Sequence, residues 1–358
     1  MSSRSSAWVV AAVLVAIPFS AQGFKFGTSF TPACHERITW HALDGMTLPV
    51  SELHSGRLME HWSEPESEPE LLLAEYFLNA VRPDASESPI EEGGVKSGRA
   101  LNSFLIGVRA PDIGGLAVKD LTDLRELHLE RTGQEAHFLR AVDDDWEDGN
   151  LASAEAGRRF ILEKLDQSKR AFDASPKVIE VDAWIEHYGR VSVPVIESAY
   201  LLGQALHALQ DSFTHTYRAG ELDQIYVVQT YIESFSGDFD ERRDGPRHSD
   251  YFDDCDHPDV APIERAATEA SLEFVRAAQR YWRSGNRAQA EQVLDRWLRV
   301  RPGCANPESS CDSAWLEIGR RKETTELVSC GAAPGPAPCV WLLLGFAAMC
   351  TVRGTRRS

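Results

Sequence analysis

The stretch Leu202 to Tyr217, L-G-Q-A-L-H-A-L-Q-D-S-F-T-H-T-Y, narrows the folds open to this chain more than any other segment. Gly203, His207, Asp211 and His215 recur every four residues, and a helix places residues at that spacing along one slowly drifting stripe. Leu202, Leu206, Leu209 and Phe213 fall on the other side. The segment therefore reads as a helix with an apolar face and a separate face of two imidazoles, a carboxylate and a glycine. A solvated face would carry Lys and Glu instead. Imidazole and carboxylate are standard zinc ligands, and a carboxylate can bridge two ions. A mid-helix glycine costs ~1 kcal/mol relative to alanine, so Gly203 calls for a reason such as close approach of a neighbour.

The rest of the interior is also periodic at the helical repeat. The spacing predicts helices over Pro69–Val81 (Leu72, Tyr76, Asn79, Ala80), Leu151–Phe172 (Phe160, Ile161, Leu165, Phe172) and Val260–Trp282 (Ile263, Ala267, Phe274, Ala278, Tyr281). Asp259 is placed to cap the last of these, and Gly285 lies just past its end. Alternating strands are scarce, and Ile225–Tyr231 is the one ambiguous stretch. The acidic segments Ser63–Glu70 and Asp84–Gly98 read as solvated loops. There is no repeat and no Pro-rich linker inside the chain. With 358 residues and 43% apolar side chains, a single all-α domain is the economical expectation.

Both ends read as processing segments. Arg4, the apolar run Trp8–Phe19 and the small residues Ala21 to Gly23 form a secretory signal over residues 1–23, with Phe24 as the new N-terminus. At the other end, Cys330-Gly331 opens a Pro/Ala/Gly stretch, followed by an apolar run Val340–Val352 and by Arg353, Arg356 and Arg357. This run is shorter than the ~20 residues of a comfortable span. The 330–358 tail resembles the bipartite C-terminal sorting tails of myxobacterial surface proteins, which implies a sorting protease acting near Cys330. The expected location is secreted, or associated with the cell surface or outer membrane. Between these ends, the domain of residues 24–329 keeps Cys34, Cys255, Cys304 and Cys311. An even count in an exported chain suggests two disulfides. Cys304 and Cys311 are close in sequence and make the local pair; Cys34 with Cys255 would then tie the start of the domain to its last third.

One helix cannot close a zinc site alone. Further candidates are His35 in H-E-R-I-T-W-H, Asp112 beside Pro111 at the end of an apolar run, His137 in Q-E-A-H-F-L-R, and His248 in the acidic R-H-S-D-Y-F-D-D. In this order they resemble the zinc-dependent phospholipase C superfamily, and the four-residue spacing is most similar to the branch related to glycosylphosphatidylinositol-specific phospholipase D. The resemblance spans Phe24 to Trp282. It implies an all-helical, phospholipase C/nuclease-like domain with up to three zinc ions in a cleft. Carried over, His137, His207 and Asp211 hold one ion. Asp211 bridges to a second, held also by His35 and by the backbone amino and carbonyl groups of Phe24. His215 and His248 share the third with a following acid, and Asp112 is the general base or a further ligand. The implied activity is hydrolysis of phosphodiester bonds, chiefly in phospholipids at a membrane surface.

Three departures from the family pattern stand out. The mature chain would begin with Phe24 instead of tryptophan, and extra residues separate Asp112 from His137 around Gly114–Gly133. The family acid one turn after His248 is replaced by Phe252, which makes Asp253 the nearest candidate and Asp250 the next. His41, His54, His61, His128, His187 and His257 lack comparable context, with His41 the alternative to His35 and His128 to His137. The formal net charge of -18 provides no basic track for a nucleic-acid strand, so no stable nucleic-acid partner is expected. A single-strand nuclease and a metal-binding surface domain without catalysis are the alternatives. A di-iron bundle is disfavoured because no paired Glu-x-x-His motif occurs.

Overall fold

The computed structural model describes residues 33–44, 76–77, 99–116, 131–141, 144–174, 177–185, 188–231, 237–249, 251–304, 311 and 313–319. The signal segment, Phe24, the acidic stretches at 63–70 and 84–98, most of the helix expected over 69–81, His54, His61, His128, His187, Asp250 and the 330–358 tail lie outside the described residues.

The elements are, in order, α1 (Cys34–Asp44), α2 (Arg99–Ile113), α3 (Arg131–Ala136), α4 (Trp146–Asp173), β1 (Val178–Ile185), β2 (Gly189–Ile196), α5 (Glu197–Thr214), β3 (Thr216–Arg218), β4 (Ile225–Val228), α6 (Glu241–Asp244), a 3₁₀ turn (Pro258–Val260), α7 (Ala261–Ser284) and α8 (Ala288–Trp297). The helix carrying the four-residue stripe is α5, and it is the central one. α2, α4 and α7 all pack against it. Leu202, Leu206, Leu209 and Phe213 are all buried, as are the stripe residues themselves.

Gly203 has the reason its sequence position called for. α2 and α5 meet backbone to backbone, and a methyl group on Gly203 would lie 2.5 Å from the Phe104 carbonyl oxygen and 2.9 Å from Gly107 Cα. Gly107 answers it from α2, where an added Cβ would lie 2.2 Å from the Tyr200 carbonyl oxygen. The crossing brings the end of α2, with Asp112, beside the middle of α5.

The fold is predominantly helical, but the all-α expectation needs correction. β1 and β2 form an antiparallel hairpin with Val181 opposite Val193, and β3 and β4 form a second small sheet. Burial alternates along β1 and β2: Ala183, Ile185, Val193 and Val195 are buried, and Glu180, Asp182, Arg190 and Ser192 are exposed. That alternation is the signature of a strand with one face on a core, here the flank of α2. The ambiguous Ile225–Tyr231 stretch supplies β4.

The helix expected at Leu151–Phe172 begins earlier, at Trp146. Gly285 closes α7 in the left-handed region (φ 70°), its N–H donating to the Tyr281 carbonyl at 2.8 Å. Asp259 does not cap α7. Pro258 already starts a helical turn ahead of it, so Asp259 sits inside the turn and accepts from the Tyr251 hydroxyl at 2.6 Å. Both expected disulfides are present, Cys34–Cys255 and Cys304–Cys311. They fit an oxidising compartment. Among the described residues no helix is long and apolar enough to cross a membrane.

Candidate metal centre

Five separate segments deliver their side chains to one buried place. The first turn of α1 provides His35, the last turn of α2 Asp112, the turn after α3 His137, the C-terminal half of α5 His207, Asp211 and His215, and the segment before the 3₁₀ turn His248 and Asp253. Each delivery has a local cause. His215 caps α5, its N–H still bonded to the Asp211 carbonyl at 2.8 Å. His137 precedes Phe138, which adopts a left-handed φ of 51°. A conformation so unfavourable for a bulky residue persists only where its surroundings enforce it. Here the Phe138 ring lies over Gly157, where a Cβ would come within 2.3 Å. Short extended pieces at Arg140, Thr230 and Arg247 pair side by side, so the His137 and His248 segments share one support. The buried Gln229 joins this support to α5, its amide nitrogen donating to the Thr214 carbonyl and its oxygen accepting from the Ser249 N–H. The Cys34–Cys255 disulfide stands next to His35 and two residues beyond Asp253.

Three sets of donor atoms lie close enough to hold an ion: His35, His207 and Asp211; Asp112, His137 and His207; and His215, His248 and Asp253. Across the first two sets, His137 Nδ1, His207 Nε2 and Asp211 Oδ2 make a triangle with edges of 3.0, 3.0 and 3.1 Å. The other oxygen of the same carboxylate, Asp211 Oδ1, lies 3.1 Å from His35 Nε2. Asp112 spans the two in parallel. Its Oδ1 faces His137 Nδ1 and His207 Nε2 at 3.7 and 3.9 Å, and its Oδ2 faces His35 Nε2 at 3.8 Å. In the third group, His248 Nε2 is 3.0 Å from Asp253 Oδ2, His215 Nε2 is 3.9 Å from Asp253 Oδ1, and the two imidazoles meet edge to face.

Three histidines have their remote ring nitrogen held by an oxygen: His35 Nδ1 by Gln210 Oε1 at 2.8 Å, His207 Nδ1 by the Val108 carbonyl at 2.7 Å, and His215 Nδ1 by the His137 carbonyl. An acceptor on one nitrogen directs the lone pair of the other into the site, as metal-ligating imidazoles require.

Burial makes the charges interdependent. It disfavours protonation of His137, His207 and His215, all held below the ordinary histidine value. Burial opposes protonation of His35 as well, but Asp211 and Asp112 more than offset it and push its pKa up to about 9. Desolvation, with Asp211 and Glu36 nearby, raises the Asp112 carboxyl well above the usual range. Asp211 goes the other way: burial is overcome by His207, His215 and His35, and it stays ionised. Neither Asp112 oxygen accepts a hydrogen bond among the described residues, although both are buried. A desolvated carboxylate of this kind is stable only if protonated or matched by positive charge. Cations held by these nitrogens and oxygens would provide that charge, so the groups are suited to metal ions.

Every sequence-derived ligand within the described residues joins the cluster; Phe24 lies outside them. Asp253 takes the place expected of an acid after His248, while Phe252 turns into the core against Tyr217 and Trp315. The rejected candidates stay apart, His41 exposed on α1 and His257 stacked on Tyr251. Sequence reasoning missed Gln210 and the buried Arg109–Glu36 pair, 2.8 Å apart, which braces α1 against α2 one turn before Asp112. Arg109 carried one signal, a charge interrupting the apolar run F-L-I-G-V-R-A-P-D. The chain matches no protein-family model, no curated protein and no solved structure.

Proposed function

We propose that this protein is an exported zinc-dependent hydrolase of phosphodiester bonds, acting on phospholipids and similar to the zinc-dependent phospholipase C superfamily. The observation that carries the reading is Asp211, whose two oxygens face two different sets of imidazole nitrogens about 3 Å away. Zinc bound by nitrogen and oxygen at ~2.0–2.1 Å in a tetrahedral arrangement separates its ligand atoms by about 3.3 Å, close to the edges of the His137/His207/Asp211 triangle. His137, His207 and Asp211 hold one ion. His35 and Asp211 hold a second, with the backbone amino and carbonyl groups of Phe24, and His215, His248 and Asp253 hold a third. The unpartnered oxygens of Asp112 support a place for it at the first two.

When bound, zinc lowers the pKa of water towards ~7 and supplies positive charge for phosphate oxygens and a departing alkoxide. The chain's own residues supply the rest. Asp112, with its raised pKa, is suited to take a proton from the attacking water. Asp211 remains ionised and fixes the separation of the two sets of imidazoles. The excess of acid over base, 55 against 37 residues, favours a compact lipid headgroup over a nucleic-acid strand, which needs a cationic track. The disulfides support export; the segments read as a signal and as a substrate of a sorting protease lie outside the described residues.

Metal analysis of the purified chain, paired with Asp211→Asn, tests the reading. The wild type should hold zinc and cleave a phospholipid and a generic aryl phosphodiester, and the variant should lose both properties. Fewer than two zinc ions per wild-type chain would refute a trinuclear centre, and equal cleavage of single-stranded DNA and lipid would refute the substrate assignment.

A further inference from the structure

Gln210 precedes Asp211 on α5 and is completely buried. Its side-chain oxygen lies 2.8 Å from His35 Nδ1, and its amide nitrogen donates to Thr39 Oγ1 at 2.9 Å on α1 and to Ser271 Oγ at 3.4 Å on α7. A carbonyl oxygen only accepts. The His35 nitrogen facing it therefore carries a proton, and Nε2 is turned toward the shared carboxylates, 3.1 Å from Asp211 Oδ1 and 3.8 Å from Asp112 Oδ2. His207 and His215 are oriented by backbone carbonyls, which no side-chain replacement removes. His35 is oriented by a side chain held between three helices.

We infer that Gln210 is the positioning residue of His35, selecting the tautomer that turns Nε2 toward the shared carboxylates and so controlling the His35 half of the centre but not the His137/His207 half. The ion at His35 rests on the metal reading proposed above, whereas the contact of His35 Nδ1 with Gln210 is a property of the protein alone. Loss of such an outer partner lowers metal affinity about 10–100-fold.

The test uses the full chain labelled with ¹⁵N, stripped of metal and kept at a pH high enough to leave His35 neutral. Long-range ¹H–¹⁵N correlation should place the His35 proton on Nδ1 in the wild type and in Gln210→Glu, which keeps an acceptor oxygen, and on Nε2 in Gln210→Leu. On titration with zinc, Gln210→Leu should lose the ion at His35 and retain that at His137/His207, and Gln210→Glu should restore both. A wild-type proton on Nε2 overturns the role without recourse to any variant. So does a Gln210→Leu chain with wild-type tautomer and ion count, or one that loses all ions together while keeping its helical circular dichroism. If the wild type takes up no zinc, the metal reading fails while the tautomer still decides the role of Gln210.

Discussion

Gly107 and Gly203 are in reciprocal contact where α2 crosses α5, and neither position has room for a methyl group. This contact sets how far Asp112 stands from His207 and Asp211. Gly203→Ala should destabilise the protein by about 1–3 kcal/mol, the usual range for overpacking, and weaken metal uptake at the Asp112 end. Denaturant unfolding and metal titration of the same variant check both effects. Loss of stability with unchanged metal affinity would show that the crossing does not set the site geometry.

Metal loading should release protons and strengthen with rising pH. His35, pushed up to about 9, holds a proton at neutral pH in the metal-free protein, and burial makes the Asp112 carboxyl bind protons more readily than an ordinary carboxylate. A metal ion bound at these groups must displace such protons. Calorimetry in buffers of different ionisation enthalpy counts the protons released, and none released at pH 7 would contradict the assignment.

The metal-free protein should become less stable across the same interval. The folded-state pKa of His35 lies above its ordinary 6.5, so its contribution is fully present below about 6.5 and is lost as pH rises through about 9. A buried carboxyl with a raised pKa acts with the same sign. Thermal unfolding of stripped protein between these values should show a falling Tm, and a flat profile would count against the Asp211–His35 pairing.

Removing the Cys34–Cys255 disulfide with paired serines should lower stability by about 2–5 kcal/mol. It should also loosen His35 and the His215/His248/Asp253 group before the His137/His207/Asp211 group, because both affected segments adjoin the bond. Metal retention during dialysis distinguishes an ordered loss from a simultaneous one.

Arg218 is completely buried against Phe213 and donates to the carbonyls of Ser212, Leu222 and Trp297. Arg218→Leu removes the donor from the Leu222 and Trp297 carbonyls, while the Ser212 carbonyl keeps the Thr216 hydroxyl. At about 1–3 kcal/mol for each buried unpaired group, the loss should reach about 2 kcal/mol or more, read by chemical denaturation.

The centre was more legible in the sequence than the scaffold around it. His207, Asp211 and His215 announce themselves because their chemistry and their period coincide, and Gly203 stands out as a helix residue in need of a reason. The hairpin was harder to see. Ile179, Val181, Ala183 and Ile185 do alternate, but no Asn-Gly turn marks the bend, and Pro194 argues against an inner strand. In a sheet of two strands both are edges, so Pro194 sacrifices no ladder bond on its outer side. Gln210 looked like an ordinary polar helix residue, because its function depends on Thr39 and Ser271 arriving from other helices. Asp253 departed from helical spacing because the preceding position, Phe252, is claimed by packing.

The Cys34–Cys255 bond closes a ring of chain with a sequence separation of 221, and every described side chain of the site, from His35 to Asp253, lies within it. One cut by a protease in any surface loop of that ring opens the circle without releasing a fragment. Both pieces stay joined at Cys34 and Cys255, with their donor groups still confined to the same volume. In an oxidising compartment, where the bond persists, resistance to nicking is thus built into the covalent topology of the site.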